Sequence, residues 1–267
     1  MKDVILDQLL EFTIVHGRAI CDKLLYENPN PLPKVNISED LHVVTVVDKP
    51  SMSSLCANRS NFQSGTLNLV ILDEFKKWVS KIKGLREYIE SRYNSLPTYI
   101  LFLDGFDTLI LRDITNPQAL LDYYNCKILF NSEPYFLHTG FPPPEGTESD
   151  YYRKLYYDEK QIYKKLNEKK YEIPFENGLN AGVFLGHKDY ILKLLLECED
   201  IMEDTYLKGF PYGCQDDQCV LRYLHNKYFD IVSVDIFNKY MFWGSPLSFK
   251  EPDGIHGTQY FKKYNKD

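Results

Sequence analysis

Two carboxylates, Asp104 and Asp107, sit between two apolar runs in TYILFLDGFDTLILRD, Thr98–Asp113. Tyr99–Leu103 reads as a buried strand, because such strands are unbroken runs of β-branched, aliphatic and aromatic residues. An acid at the end of a buried strand is costly unless it is paired or ligates a cation. The spacing therefore points to a divalent metal held by Asp104 and Asp107. The other reading is a strand–turn–strand in which Asp104-Gly105 makes the turn.

Open α/β sheets bind ligands just beyond the carboxyl ends of their strands, and other polar groups fall at such ends. Thr45 to Lys49 follow LHVVTVV (Leu41–Val47), Glu133 follows KILFN (Lys127–Asn131), and His256 lies in GIHGTQ. Two carboxylates and an imidazole with open positions suit Mn²⁺ or a similar octahedral ion such as Mg²⁺, which also accepts phosphate oxygens. Gly254 and Gly257 around His256 suit a tight loop near a ligand; a satisfied core or surface histidine is the other reading. Asp216 and Asp217 open a helix, where acids complement the dipole or face a cleft to orient a sugar hydroxyl or act as a base.

Other chemistries lack their signatures. The aspartate-nucleophile phosphotransferases need D-x-D, and the spacing here is D-x-x-D. No P-loop, G-x-S-x-G or G-x-G-x-x-G occurs, so nucleoside triphosphatase, serine hydrolase and dinucleotide dehydrogenase readings have no motif.

The elements that must position these residues alternate between strand and helix. The apolar residues of 3–26 recur at helical intervals and predict one or two amphipathic helices, followed by the Pro-rich linker NPNPLPK. Leu41–Val47 and Leu67–Leu72 read as strands, Ser51–Ser64 as a polar loop, and Glu74–Arg92 as an amphipathic helix leading to the central strand. A helix (Pro117–Tyr124), a strand (Lys127–Asn131) and a long irregular loop (Glu133–Asp150) follow. A charged helical stretch (Tyr151–Lys170) and a glycine-bracketed strand (Asn180–Leu185) come next. Then follow helices over Tyr190–Tyr206 and Asp216–Lys227, a strand at Ile231–Val234 and an irregular tail. The pattern is α/β: one domain over 36–267, a mixed and mostly parallel sheet flanked by helices, with 1–35 as a helical extension, either a cap or a dimer element.

Composition narrows the class further. With 44% hydrophobic residues among 267, there is ample material for a core. The net charge of −7 and the absence of a basic block interleaved with aromatics leave nucleic-acid binding without electrostatic support. No run is long enough for a membrane span. Asp3, Asp7 and Glu11 interrupt the first apolar stretch, which argues against a signal peptide. A soluble, cytoplasmic protein with mostly buried, reduced thiols is expected. Asn36-Ile37-Ser38 and Asn58-Arg59-Ser60 fit the glycosylation sequon.

Taken in order, these stretches resemble the glycosyltransferase domain of procollagen lysyl hydroxylases. The resemblance rests on LHVVTVVDK (41–49), Lys81 in VSKIKGLREYI, the D-x-x-D with an aromatic before its second acid, and FNSEP (130–134). LNAGVFLG (179–186), QDDQCVLRY (215–223) and HGTQ (256–259) complete it. It implies a GT-A nucleotide-sugar-binding fold, a UDP-sugar donor (glucose or galactose), Mn²⁺ and a hydroxyl acceptor on a protein or glycan, such as hydroxylysine of a collagen-like protein. It further implies Asp104, Asp107 and His256 as metal ligands and Lys81 at the diphosphate. Thr45 and Val47 would lie against uracil and ribose, Phe106 would stack on uracil, and Asn180, Asp216 and Asp217 would face sugar and acceptor. HGTQ departs from the family's HGNG: Gly257 remains, and Lys262 or Lys263 would replace a lost glycine near the diphosphate. A protein that binds the nucleotide sugar without turnover is the alternative.

Overall fold

The computed structural model describes residues 9–28, 30–48, 53–75, 78–134, 177–207, 217–235 and 239–243. In chain order the elements are β1 (Ile14–His16), α1 (Arg18–Asp22), β2 (Val35–Asn36), β3 (Leu41–Val47), α2 (Ser53–Asn61), β4 (Phe62–Ser64) and β5 (Leu67–Ile71). They continue with α3 (Trp78–Arg92), β6 (Tyr99–Leu103), β7 (Thr108–Ile110), α4 (Pro117–Tyr123), β8 (Ile128–Pro134) and β9 (Asn177–His187). The last are α5 (Lys188–Leu207), α6 (Asp217–Lys227), β10 (Val232–Val234) and β11 (Met241–Trp243). A π-helical turn, Lys23–Glu27, extends α1.

The main sheet has six strands in the order β10-β8-β9-β6-β3-β5. β6 pairs parallel with β3, β3 with β5, and β8 with β10, whereas β9 runs antiparallel to both β6 and β8. The sheet is mixed rather than clearly parallel, because β9 enters its middle reversed. The central strand β6 and most of β3 are near-continuous apolar runs because both of their faces are covered. In β6, Ile100 and Phe102 join the core under α3, α5 and α6, while Leu101 and Leu103 point to the opposite core with Leu55 of α2 and Leu121 of α4. From β3 the chain first goes to β5 on one side and then to β6 on the other. The strand order therefore reverses between β3 and β6, and the crevice outside their carboxyl ends is where such sheets take ligands.

Three stretches differ from the sequence expectation. Ile14–His16 is a strand, not part of a helix: the β-branched Ile14 and Val15 lie between β11 and β7, in a small sheet of order β11-β1-β7. Helical periodicity there came from neighbouring Leu residues that line the same core, Leu9, Leu24 and their companions. Ser53–Asn61 is a helix rather than a loop, because its polar Ser54 and Asn58, one turn apart, face inward to bond the backbone. The tail contributes β11. Glu133 and Pro134, expected at the start of the irregular loop, instead continue β8; the rest of that loop (135–150) and the 151–170 helix lie outside the described residues. Among the described residues no helix is long and apolar enough to cross a membrane.

Both sequons are engaged in this fold. Asn58 is buried and its amide bridges Thr108 O and the Ile110 N–H at 2.7 and 2.9 Å. The Asn36 side chain donates to Asp113 at 3.2 Å.

Candidate metal centre at the carboxyl end of β6

Asp104 is the first residue after β6, and its N–H donates to Gly182 O of β9 at 2.6 Å. Gly105 follows because a side chain would not fit: a Cβ there would stand 2.5 Å from Val47 Cγ1 and 2.9 Å from Thr45 Oγ1. Ser54 Oγ donates to Gly105 O at 2.9 Å, and Asn58 holds both ends of the following strand β7. The D-x-x-D turn is thus pressed between β3 and α2, which aims both carboxylates at the crevice.

The third member of the centre was not legible in the sequence. His16, at the end of β1, lies with Nε2 3.2 Å from Asp107 Oδ1. One ligand atom from each of His16, Asp104 and Asp107 falls within 4.8 Å of the others. Gly17, at φ 121°, turns the chain so that its N–H donates to Asp107 O at 2.8 Å. The only local hint was a β-branched pair ending in His-Gly inside a stretch that otherwise reads as helix. His16 is nearly buried, whereas the Asp104 and Asp107 side chains keep 22% and 29% exposure, so the acids remain reachable from solvent. Two carboxylates and an imidazole this close, on a partly open rim, form a donor set that fits Mn²⁺ or Mg²⁺.

Electrostatics tie the group together. Burial disfavours a charged His16, but Asp107, with Asp104 and Glu133, outweighs it and holds the imidazole above its ordinary value. Burial likewise raises Asp107, but the neighbouring His16, with Lys81 and Arg18, pulls its carboxyl below the usual range.

Lys81 of α3 reaches the same crevice. Its side chain is buried, with Nζ 2.5 Å from Asp217 Oδ2 at the start of α6 and 3.8 Å from Asp104 Oδ2. The Trp78 ring lies 5.1 Å from the ammonium and the Phe102 ring 5.6 Å. Asp217 therefore does more than complement its helix dipole.

Behind this layer is a buried polar clamp. Glu133 accepts from Asn180 Nδ2 at 2.7 Å, from Arg222 Nη2 at 3.2 Å and from Gln218 Nε2. Asn180 Oδ1 accepts from the Gly182 N–H at 2.8 Å, and Gln218 Oε1 from the Ala181 N–H at 3.1 Å. Here β9 departs from β8: Phe130 pairs with Phe184, but Asn131 pairs with Asn180. Residues 181–183 bulge out of that ladder toward β6. The clamp satisfies the bulge's amides and presents Gly182 to His16.

The structure thus brings Asp104, Asp107, Lys81 and Asp217 together and sets Asn180 just behind them, bonded to Glu133 rather than open to the crevice. Thr45 and Val47 are buried under Gly105, and Phe106 is 37% exposed on the rim. His256, Gly257, Lys262, Lys263 and Asp216 lie outside the described residues. Gln218, Arg222 and α2 were missed because each acts through a partner distant in sequence. No protein-family model matches the chain, and a search of curated proteins finds no match.

Proposed function

We propose that the protein is a metal-dependent glycosyltransferase of GT-A type that moves a hexose from a UDP-sugar, glucose or galactose, to a hydroxyl. The observation that carries this reading is the Asp104–Asp107 pair with His16 beside it, at the carboxyl end of β6 where the strand order reverses. The ordered motif resemblance adds the choice of donor, and hydroxylysine or its galactosylated form on a collagen-like protein is the acceptor that it favours.

Asp104 and Asp107 would hold Mn²⁺. Bound there, the cation would supply Lewis-acid stabilisation of the charge that builds on the departing UDP. Lys81, aimed by Asp217 and Asp104, adds a fixed positive group to the diphosphate side. Phe106, exposed on the rim, offers its face to uracil. Val47 and Thr45 shape the floor through Gly105. Asn180 supports the bulge that backs the metal turn. His256, Gly257 and Lys262 would close the diphosphate side, and Asp216 the acceptor side.

A nucleotide-sugar-binding protein without turnover is the second reading. It is favoured by the engagement of Asn180 and Asp217, whose polar atoms are taken up by Glu133, Gly182 and Lys81 rather than left for a sugar. A donor screen by UDP release, with collagen-type acceptor peptides present, separates the two. Mn²⁺-dependent release from one UDP-hexose, lost in Asp107→Ala, supports the transferase. Binding of UDP-sugars without release from any donor supports the alternative.

A further inference from the structure

The hydrogen bonds behind His16 decide what its imidazole does. Asn131 of β8 is fully buried, and its Oδ1 accepts from the Ser132 N–H at 2.8 Å. That bond orients the amide, so the Asn131 NH₂ faces His16 Nδ1 at 3.4 Å. Turning the amide over would break that bond and set NH₂ against the Ser132 N–H, donor against donor. Nδ1 is thereby cast as the acceptor of the neutral ring. The ring hydrogen belongs on Nε2, the nitrogen 3.2 Å from Asp107 Oδ1. A metal-ligating histidine needs the reverse: a bare nitrogen toward the ion and a hydrogen on the other nitrogen, given to a carbonyl or carboxylate. Asn131 offers neither. Gly182 seats the ring in this pose, since a Cβ there would stand 2.7 Å from Nε2.

We infer that His16 is a positioning residue that donates from Nε2 to Asp107 and orients its carboxylate, and that it is not itself a metal ligand. Asp104 and Asp107 then remain the chain's own described ligands, which leaves more positions for a diphosphate or water. The inference rests on the metal reading for its function, but the hydrogen-bond assignment stands apart from it.

Two measurements test it. Long-range ¹H–¹⁵N correlation on the metal-free wild-type protein, at a pH where the ring is neutral, reads which nitrogen carries the hydrogen. The His16 signal is identified by its contacts with Gly182 and by its loss in His16→Gln. Hydrogen on Nε2 is expected; hydrogen on Nδ1 overturns the assignment. Electron spin-echo modulation of the Mn²⁺-loaded protein then reads directly bound nitrogen. The nitrogen signal is expected to be the same in wild type and His16→Gln, with Mn²⁺ affinity falling about tenfold as for other outer-shell partners. A bound-nitrogen signal that vanishes in His16→Gln overturns the inference and leaves the metal reading intact. Failure of Mn²⁺ to bind wild type overturns the metal reading and His16's function with it, while the tautomer still decides the assignment.

Discussion

Lys81 Nζ lies 2.5 Å from Asp217 Oδ2, both side chains being buried, and this pair joins the middle of the molecule to the start of α6. Removing one partner of such a pair leaves the other charge uncompensated in a low dielectric, whereas removing both is mild. Lys81→Met is expected to lose about 3 kcal/mol in urea denaturation, and Asp217→Asn a comparable amount. The double variant should lose less than the sum. Additive losses would show that the two side chains do not interact in solution.

Divalent metal should stabilise the folded chain. With Mn²⁺ at about 100 times its dissociation constant, the gain is about 2.7 kcal/mol. Thermal scans with and without chelator should show it in wild type and not in Asp104→Asn/Asp107→Asn. An equal shift in the double variant would place the ion elsewhere.

Gly182→Ala should disturb the centre selectively. Its new Cβ meets the His16 ring, so the imidazole must move, at a cost of about 1–3 kcal/mol. Gly186→Ala is the control: there a Cβ would lie 2.7 Å from the Lys127 carbonyl, away from His16. Titration calorimetry should find Mn²⁺ affinity reduced only in Gly182→Ala. Equal affinities in the two variants would separate Gly182 from the metal turn.

Asp235 anchors the strand that flanks β1. Fully buried, it accepts from the Lys239, Tyr240 and Met241 N–H groups at 2.7, 2.8 and 2.8 Å and from the Tyr124 hydroxyl. Asp235→Ala would take the acceptor from four donors, the buried Met241 N–H and three partly buried ones, and is expected to cost about 3 kcal/mol or more. Hydrogen exchange should accelerate first at Tyr240 and Met241 and then at Ile14, whose N–H donates to Tyr240 O at 2.9 Å. Unchanged protection at Ile14 would contradict that coupling.

His225 predicts an acid-labile step. Burial pushes its pKa from 6.5 down to about 4. Between these values the unfolded chain binds a proton that the folded chain refuses, so stability rises with pH and is lost on acidification through this window. The full contribution is about 3 kcal/mol. His225→Phe should flatten this part of the profile when urea midpoints are compared at about pH 7 and about pH 4.5. An unchanged slope would assign the acid loss to other groups.

The sequence by itself determined the strands whose apolar runs leave no other choice, Leu41–Val47, Tyr99–Leu103 and the strand over Asn180–Leu185, and the acids at their ends. Burial on both faces writes itself into consecutive residues, so Asp104 and Asp107 stand out locally. Helices with one apolar stripe, such as Lys188–Leu207, are legible for the same reason. What only the tertiary structure decided depends on partners far apart in the chain. His16 joins Asp107 because β1 inserts beside β7; Lys81 finds Asp217 because α3 and α6 share one face of the sheet; Glu133 becomes a clamp because β9 bulges against β8. Each is a polar residue whose burial is offset by one specific distant group, and no periodicity records which group that is. The D-x-x-D turn could be read from its neighbours in sequence, but the histidine that orients it could be found only in space.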